Sequence, residues 1–372
     1  MIMRTLTRAA VIAVLCAAPA LHAQDKAKKP KKEAKPDSLK TPGAKADSLK
    51  PPPLFTSEKP LVVTFTTNVK QLRDDKGDTS PYRAATMTYT GDDGKPVVVP
   101  MRAKTHGIWR LKHCDFPPVR LNISNKDAKG TVFHDAEKPK FVSTCKDRDS
   151  YEQLVLQEMQ LYRIYQLLTP VSHRVRTLRV SYADSASGKV EATRYGFIFE
   201  DPDKLADRFN GKMLKTKGAG PDDLDPEQSG LVYLFQYLIG NTDFSFNGLH
   251  NGEMILRPDG SPLLPVAYDF DFSGAVNAPY ATVDPRLAVK RVRDRLFRGY
   301  CAHSAELPLA AGKFLAKKDA IYALYHDDLG KLMDERVVRE TLAWYDDFFD
   351  AISTPRKLEQ TVTSQCVGNR NK

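Results

Sequence analysis

The spacing of apolar and polar positions changes once along this chain. Residues 61–66 are β-branched and roughly alternating, which predicts a strand. Residues 84–89 and 96–104 repeat the pattern, with Gly91-Asp92-Asp93-Gly94 as a turn between them. Residues 119–123 and 141–143 read as two more strands. From Tyr151 the period becomes three to four. Tyr151, Leu154, Val155, Tyr162 and Tyr165 form the apolar stripe of an amphipathic helix over 151–168, and Glu158 interrupts that stripe. Strands follow at 176–182 and 194–200, around the turn-rich Asp184-Ser185-Ala186-Ser187-Gly188. Residues 231–239 are apolar nearly all round, as in a helix buried on most sides, and Gly240-Asn241 closes it. Helices around 315–325 and 337–352 complete the pattern. The expectation is an α+β fold, β-rich over 60–200 and helical over 201–355, with a tail at 356–372.

Upstream of Pro60 this patterning vanishes. Residues 24–59 are dominated by Lys, Pro and Ala and repeat the tetrapeptide Asp37-Ser38-Leu39-Lys40 as Asp47-Ser48-Leu49-Lys50. Such a stretch buries too little apolar surface to offset its chain entropy, so a disordered tether is expected. Ahead of it, Arg4 and Arg8 precede an apolar run from Ala9 to Ala20 that is too short to span a bilayer. With small residues before position 24, this predicts a signal peptide over 1–23 and export to the periplasm or beyond. A lipoprotein anchored at Cys16 is disfavoured by Leu15, where a small residue is needed.

The net charge is +10. Residues 24–55 hold nine lysines against four acids, and Arg4 and Arg8 add two more, which leaves only about +3 for the rest. A nucleic-acid-binding fold should carry its basic surface on the domain itself, so no nucleic-acid partner is expected. The basic tether suits electrostatic contact with an anionic envelope surface. Four cysteines remain after the signal: Cys114, Cys145, Cys301 and Cys366. In an exported chain these read as two disulfides. Three connectivities exist; pairing of sequence neighbours, Cys114–Cys145 and Cys301–Cys366, is preferred over the others and over free buried thiols.

Two stretches carry candidate chemistry: Gly240-Asn241-Thr242-Asp243 running on to His250-Asn251, and Tyr268-Asp269-Phe270-Asp271. The segment between them reads as a hairpin around Pro258-Asp259-Gly260-Ser261. If Arg257 pairs with Pro262, Asn251 lies opposite Tyr268 and His250 opposite Asp269. A bulge or frayed strand end is then needed to turn Asn251 and Asp269 to one side. Together they would offer oxygens to a hard cation such as magnesium, with Asp271 as a further ligand. Asp243, just past the buried helix, would orient a hydroxyl nucleophile. His250 alone reads as a core histidine. Glu158 requires a cation; Lys140 is the first candidate and Arg120 the second.

Asp243, Asn251, the hairpin and Asp269 resemble the spore-coat CotH kinase family, in particular its secreted, envelope-associated members. Cys114-Asp115-Phe116-Pro117-Pro118 is similar to that family's Phe-Pro strand, and the 151–168 helix to its glutamate-bearing helix. The resemblance implies a two-lobe, protein-kinase-like fold. It also implies binding of ATP with magnesium or manganese, and phosphoryl transfer to a protein or envelope-component acceptor. Asp243 would be catalytic, Asn251, Asp269 and Asp271 metal-binding, and Lys140, Glu158 and Arg120 would contact or position the phosphates. The chain departs from the family at His106-Gly107, where an Arg-Gly turn is usual, and at the eight-residue step from Asp243 to Asn251. Asn241-Thr242 precedes the candidate catalytic Asp, and no glycine-rich phosphate loop is present. These departures keep alternatives open: a catalytically decayed, pseudokinase-like binding module held in the envelope, or a structural envelope protein anchored by its basic tail. No nucleophile elbow, His-Glu-x-x-His or P-loop appears.

Overall fold

A computed structural model describes residues 50–368 apart from Gly77, Asp78 and Ile108. The expected signal segment and most of the tether lie outside the described residues. The first part of the fold holds β1 (Leu61–Thr67), α1 (Val69–Asp74), β2 (Arg83–Thr90), β3 (Pro96–Thr105), α2 (Trp109–His113), β4 (Val119–Asn122), α3 (Asn125–Ala128) and β5 (Lys140–Val142). Then come α4 (Asp149–Leu168), β6 (Val175–Asp184), β7 (Val190–Phe199), α5 (Pro202–Arg208), β8 (Lys212–Met213) and α6 (Pro226–Leu238). The hairpin β9 (Gly252–Leu256) and β10 (Leu264–Ala267) precedes α7 (Leu307–Ala323), α8 (Glu335–Ala351) and α9 (Pro355–Thr361).

The β-branched alternation of the first strands puts every second residue inside a closed barrel with the order β1-β2-β3-β4-β5-β7-β6. All its neighbouring strands run antiparallel except β6 and β1. These close the ring in parallel, from Leu61 opposite Leu178 to Thr67 opposite Asp184. Phe65, Met87, Leu121, Phe141, Val180 and Ile198 fill the interior. The outward faces of β5 and β7 are apolar as well: Val142, Phe197 and Phe199 pack on α4 and join a second core shared with α6, α7 and α8.

That shared core corrects the expected fold. The chain does not form a recognisable two-lobe, kinase-like arrangement; it forms a closed seven-stranded mixed barrel with helices packed against it, α+β overall. Two causes are visible. The parallel β1–β6 pairing closes the sheet, so it has no open edges. The helix α4, read as amphipathic, is buried almost all round from Val155 to Tyr165, between the barrel and the later helices. Its polar residues find partners there: Gln160 donates to the Leu324 carbonyl at 2.9 Å, and Arg163 meets Asp327 at 2.6 Å.

Order also begins before Pro60 and continues past residue 355. Leu54 is buried in the barrel core, Arg176 donates to the Ser57 carbonyl at 2.6 Å, and Glu58 reaches Arg163 at 2.7 Å. At the other end, α9 leads to Cys366, which is bonded to Cys301, and Val367 pairs with Tyr300. The second disulfide joins Cys114 and Cys145. Both are the sequence-neighbour pairs. They fit an oxidising compartment such as the periplasm or the extracellular space. Among the described residues no helix is long and apolar enough to cross a membrane.

Candidate functional site

Where the barrel meets the helices, a cavity of about 820 Å³ opens, and all seven sequence-predicted site residues line it. One wall is basic, and strand register explains why. Lys104 on β3 stands opposite Arg120 on β4, and Arg120 opposite Lys140 on β5. Three cations thus form a row across three strands, all facing the cavity. Like charges directly opposite destabilise a sheet, so the cross-strand pairing itself does not favour this row. Its field is felt by the neighbouring His106. Burial first, and then Lys140, Arg120 and Arg110, hold that imidazole well below its usual range and therefore neutral.

Lys140 ends in a box. Its Nζ lies 4.5 Å from the Tyr268 ring centre and 4.9 Å from that of Phe199, and 3.4 Å from Glu253 Oε1. The other oxygen of Glu253 meets the fully buried His173 at 2.9 Å. Burial would raise the Glu253 carboxyl, but Lys140 and His173 outweigh it and hold it down to about 2. The expected Lys140–Glu158 pair is therefore not formed, and Arg120 does not meet Glu158 either.

The cation that does meet Glu158 is Arg110 on α2. Its Nη2 donates to Glu158 Oε2 at 2.8 Å and its Nε to Asp271 Oδ2 at 2.9 Å. The Cys114–Cys145 bond pins the end of α2 beside β5, and Trp109 stacks between His113 and Tyr280 at 4.4 Å each. Asp271, read as a metal ligand, thus has one oxygen committed to Arg110. Asp269 takes no ion pair or hydrogen bond on its carboxylate among the described residues; only its backbone N–H is engaged, donating to Tyr162 Oη at 2.9 Å. Burial, then the nearby Asp271 and Glu158 carboxylates, push the Asp269 carboxyl well above its usual range. Glu158 is pushed up to about 7, by burial first, against the pull of Arg110.

The hairpin register is the one read from the sequence, with Gly252 opposite Ala267 and Leu264 opposite Ile255. The ladder ends there, so Asn251 and Asp269 sit on frayed ends. Both adopt positive φ, 47° and 60°, and this turns the two side chains into the same cavity. Such backbone costs on the order of 1 kcal/mol or more outside glycine and clusters at functional sites. The long step from Asp243 to Asn251 is folded away by a closed loop. Ser245 and His250 exchange backbone hydrogen bonds at 2.8 and 2.9 Å, which returns the chain to its start. Asn251 Nδ2 then donates to the Asp243 carbonyl at 2.8 Å and to Asp243 Oδ2 at 3.0 Å. His250 is not a core residue; it is half exposed, and its Nε2 lies 2.8 Å from Asp243 Oδ1.

Arg298 braces Asp243 from behind, donating to the carbonyls of Thr242 and Phe244 on either side of it. Gly240, at φ 59°, makes the turn out of α6 that leads there, and a Cβ on it would come within 2.9 Å of Trp344. Sequence reading missed Arg110, Lys104, Glu253 and His173. Arg110 sits in the connection between two strands, where no periodicity marks it. The signal for Lys104 was present, since it belongs to a predicted strand, but its neighbours in the row become visible only with the register.

Among the described residues no group of three or more His, Cys, Asp or Glu side chains is arranged to hold a metal ion by itself. The donors of Asp269 and Asn251 instead suit a hard cation that completes its shell with phosphate oxygens and water. No protein-family model matches the chain, and no curated protein matches it either.

Proposed function

We infer that the cavity binds a nucleoside triphosphate, ATP in the simplest case, with magnesium or manganese, and transfers its terminal phosphoryl group to a hydroxyl acceptor. The observation that carries this reading is the juxtaposition of the two walls: a row of three cations faces a cluster of carboxylates across one cavity. A polyphosphate bridged by a divalent cation is complementary to both walls at once. The motif resemblance to the CotH family around Asp243, Asn251 and Asp269 supports the same chemistry.

The row Lys104, Arg120 and Lys140 would bind the phosphate oxygens, with Lys140 held in place by Glu253. Asp269 and Asn251 Oδ1 would hold the cation, which when bound neutralises charge on the phosphates. Asp243, oriented by His250 and Asn251, would accept the hydrogen bond of the acceptor hydroxyl. A new O–P bond then forms as the bond to the leaving diphosphate breaks, and the hydroxyl proton passes to Asp243 and on to solvent. An N-terminal signal would deliver the domain across the membrane, so the acceptor is sought among exported proteins or envelope components.

A second reading is a non-catalytic binding module. It is favoured by one observation: both carboxylate oxygens of Asp243 already have partners within the chain. Release of phosphate and labelling of the protein itself from γ-labelled ATP with Mn²⁺ separates the two. The enzyme reading expects turnover that Asp243→Asn removes without loss of ATP binding. Binding without turnover in the wild type would leave the binding module. Neither binding nor turnover would remove both.

A further inference from the structure

On the acidic wall, carboxylates already held by a guanidinium are not free to hold a metal ion, and those that remain set how many ions the wall takes. Resting on the nucleotide–metal reading, we propose that Arg110 is a permanent cation standing in place of a second metal ion, so that the site holds a single divalent cation, on Asp269 and Asn251. Three carboxylates, Glu158, Asp269 and Asp271, stand together on this wall, and Arg110 is the cation placed among them.

The geometry divides the acids in the same way. Arg110 spends its fork on Glu158 and Asp271, at 2.8 and 2.9 Å, and leaves Asp269 without a cation. Glu158 Oε1 is buried and meets no cation among the described residues, so the negative potential of this wall is not fully answered there. The guanidinium is not a side chain poised to leave. Trp109 is stacked on both faces, Tyr280 Oη lies 3.4 Å from Arg110 Nη2, and the Cys114–Cys145 bond fixes the end of α2. A guanidinium remains charged at every accessible pH and binds carboxylates through a rigid planar fork. It therefore neutralises Glu158 and Asp271 whether or not nucleotide is present.

The test counts Mn²⁺ bound to the full chain with a non-hydrolysable ATP analogue, by equilibrium dialysis and electron paramagnetic resonance. The wild type is expected to bind one ion, Asp269→Asn none, and Arg110→Met two. Two ions on the wild type, or one on a folded Arg110→Met, would overturn the proposal. If Arg110→Met unfolds without metal, its thermal midpoint is followed against Mn²⁺ concentration. Rescue by Mn²⁺ alone supports the exchange of one cation for another, and absence of rescue overturns it. A wild type that binds the analogue at no Mn²⁺ concentration would instead remove the underlying nucleotide–metal reading.

Discussion

Two ion networks share one cavity and are built in opposite senses. Around Arg110, carboxylates outnumber cations: Glu158, Asp269 and Asp271 surround one guanidinium, and the Glu158 and Asp269 carboxyls are pushed up. Around Glu253, one carboxylate lies between Lys140 and His173 and is held down to about 2. Burial pushes both carboxyls upward, so the opposite outcomes come from the count and placement of the neighbouring charges. The first network is short of positive charge and is suited to receive a cation. The second secures a lysine whose neighbours in the row, Arg120 and then Lys104, are also cationic, so that wall is suited to receive an anion. A ligand carrying both, a metal–polyphosphate, would relieve the two walls together.

The comparison breaks most readily at Arg110. Arg110→Met leaves two buried carboxylates unpaired and is expected to cost about 3–5 kcal/mol in denaturant unfolding. Lys140→Met leaves Glu253 still bonded to His173 and is expected to cost less than half of that. Equal losses would mean that the two networks are not different in kind.

The pH dependence should differ in sign. The Glu253 carboxyl lies at about 2 against an ordinary 4.5, so its contribution is complete above about 4.5 and is lost as pH falls toward 2. That difference corresponds to about 3 kcal/mol. Glu158 lies at about 7, so the native state binds the extra proton between 4.5 and 7, and stability falls as pH rises through that window. Glu158→Gln is expected to flatten the decline between about pH 4.5 and 7, and Glu253→Gln the loss below pH 4.5. Thermal midpoints across pH check both, and an unchanged profile in either variant contradicts the assignment of that slope.

The smallest effect is expected in the basic row. Arg120→Gln removes repulsion from both Lys104 and Lys140, so it should stabilise the ligand-free protein by a few tenths of a kcal/mol to about 1 kcal/mol. The same change should weaken binding of ATP with Mn²⁺, as measured by calorimetry. A loss of stability together with unchanged binding would show that the row belongs to the barrel's architecture.

Much of this was legible in the sequence because it is local. The first strands follow alternation, the hairpin register follows from Pro258-Asp259-Gly260-Ser261, and that register brings Asn251 and Asp269 to adjacent strand ends. The disulfides join sequence neighbours. What was not legible is long-range. No local pattern reveals that β1 pairs in parallel with β6, and that single pairing closes the expected β-rich region into a barrel. Nor does spacing show that Glu158 meets Arg110, 48 residues earlier, rather than Lys140. Both cations lie upstream beside apolar residues, Arg110 between Trp109 and Leu111 and Lys140 before Phe141, and only the path of α2, pinned by Cys114, selects between them. The α4 stripe misled for a related reason: a helix packed on both sides carries polar residues whose partners come from distant segments.

The central claim is that one site takes a nucleoside triphosphate and a divalent cation together. The most direct measurement is thermal unfolding of the full chain with and without ATP plus Mn²⁺, beside Asp269→Ala. At a ligand concentration about 100 times the dissociation constant, binding adds about 2.7 kcal/mol to stability, a shift of several degrees. The account predicts that shift in the wild type and its loss in Asp269→Ala, with neither Mn²⁺ nor ATP alone reproducing it. No shift in either protein, or an equal shift in both, would contradict it.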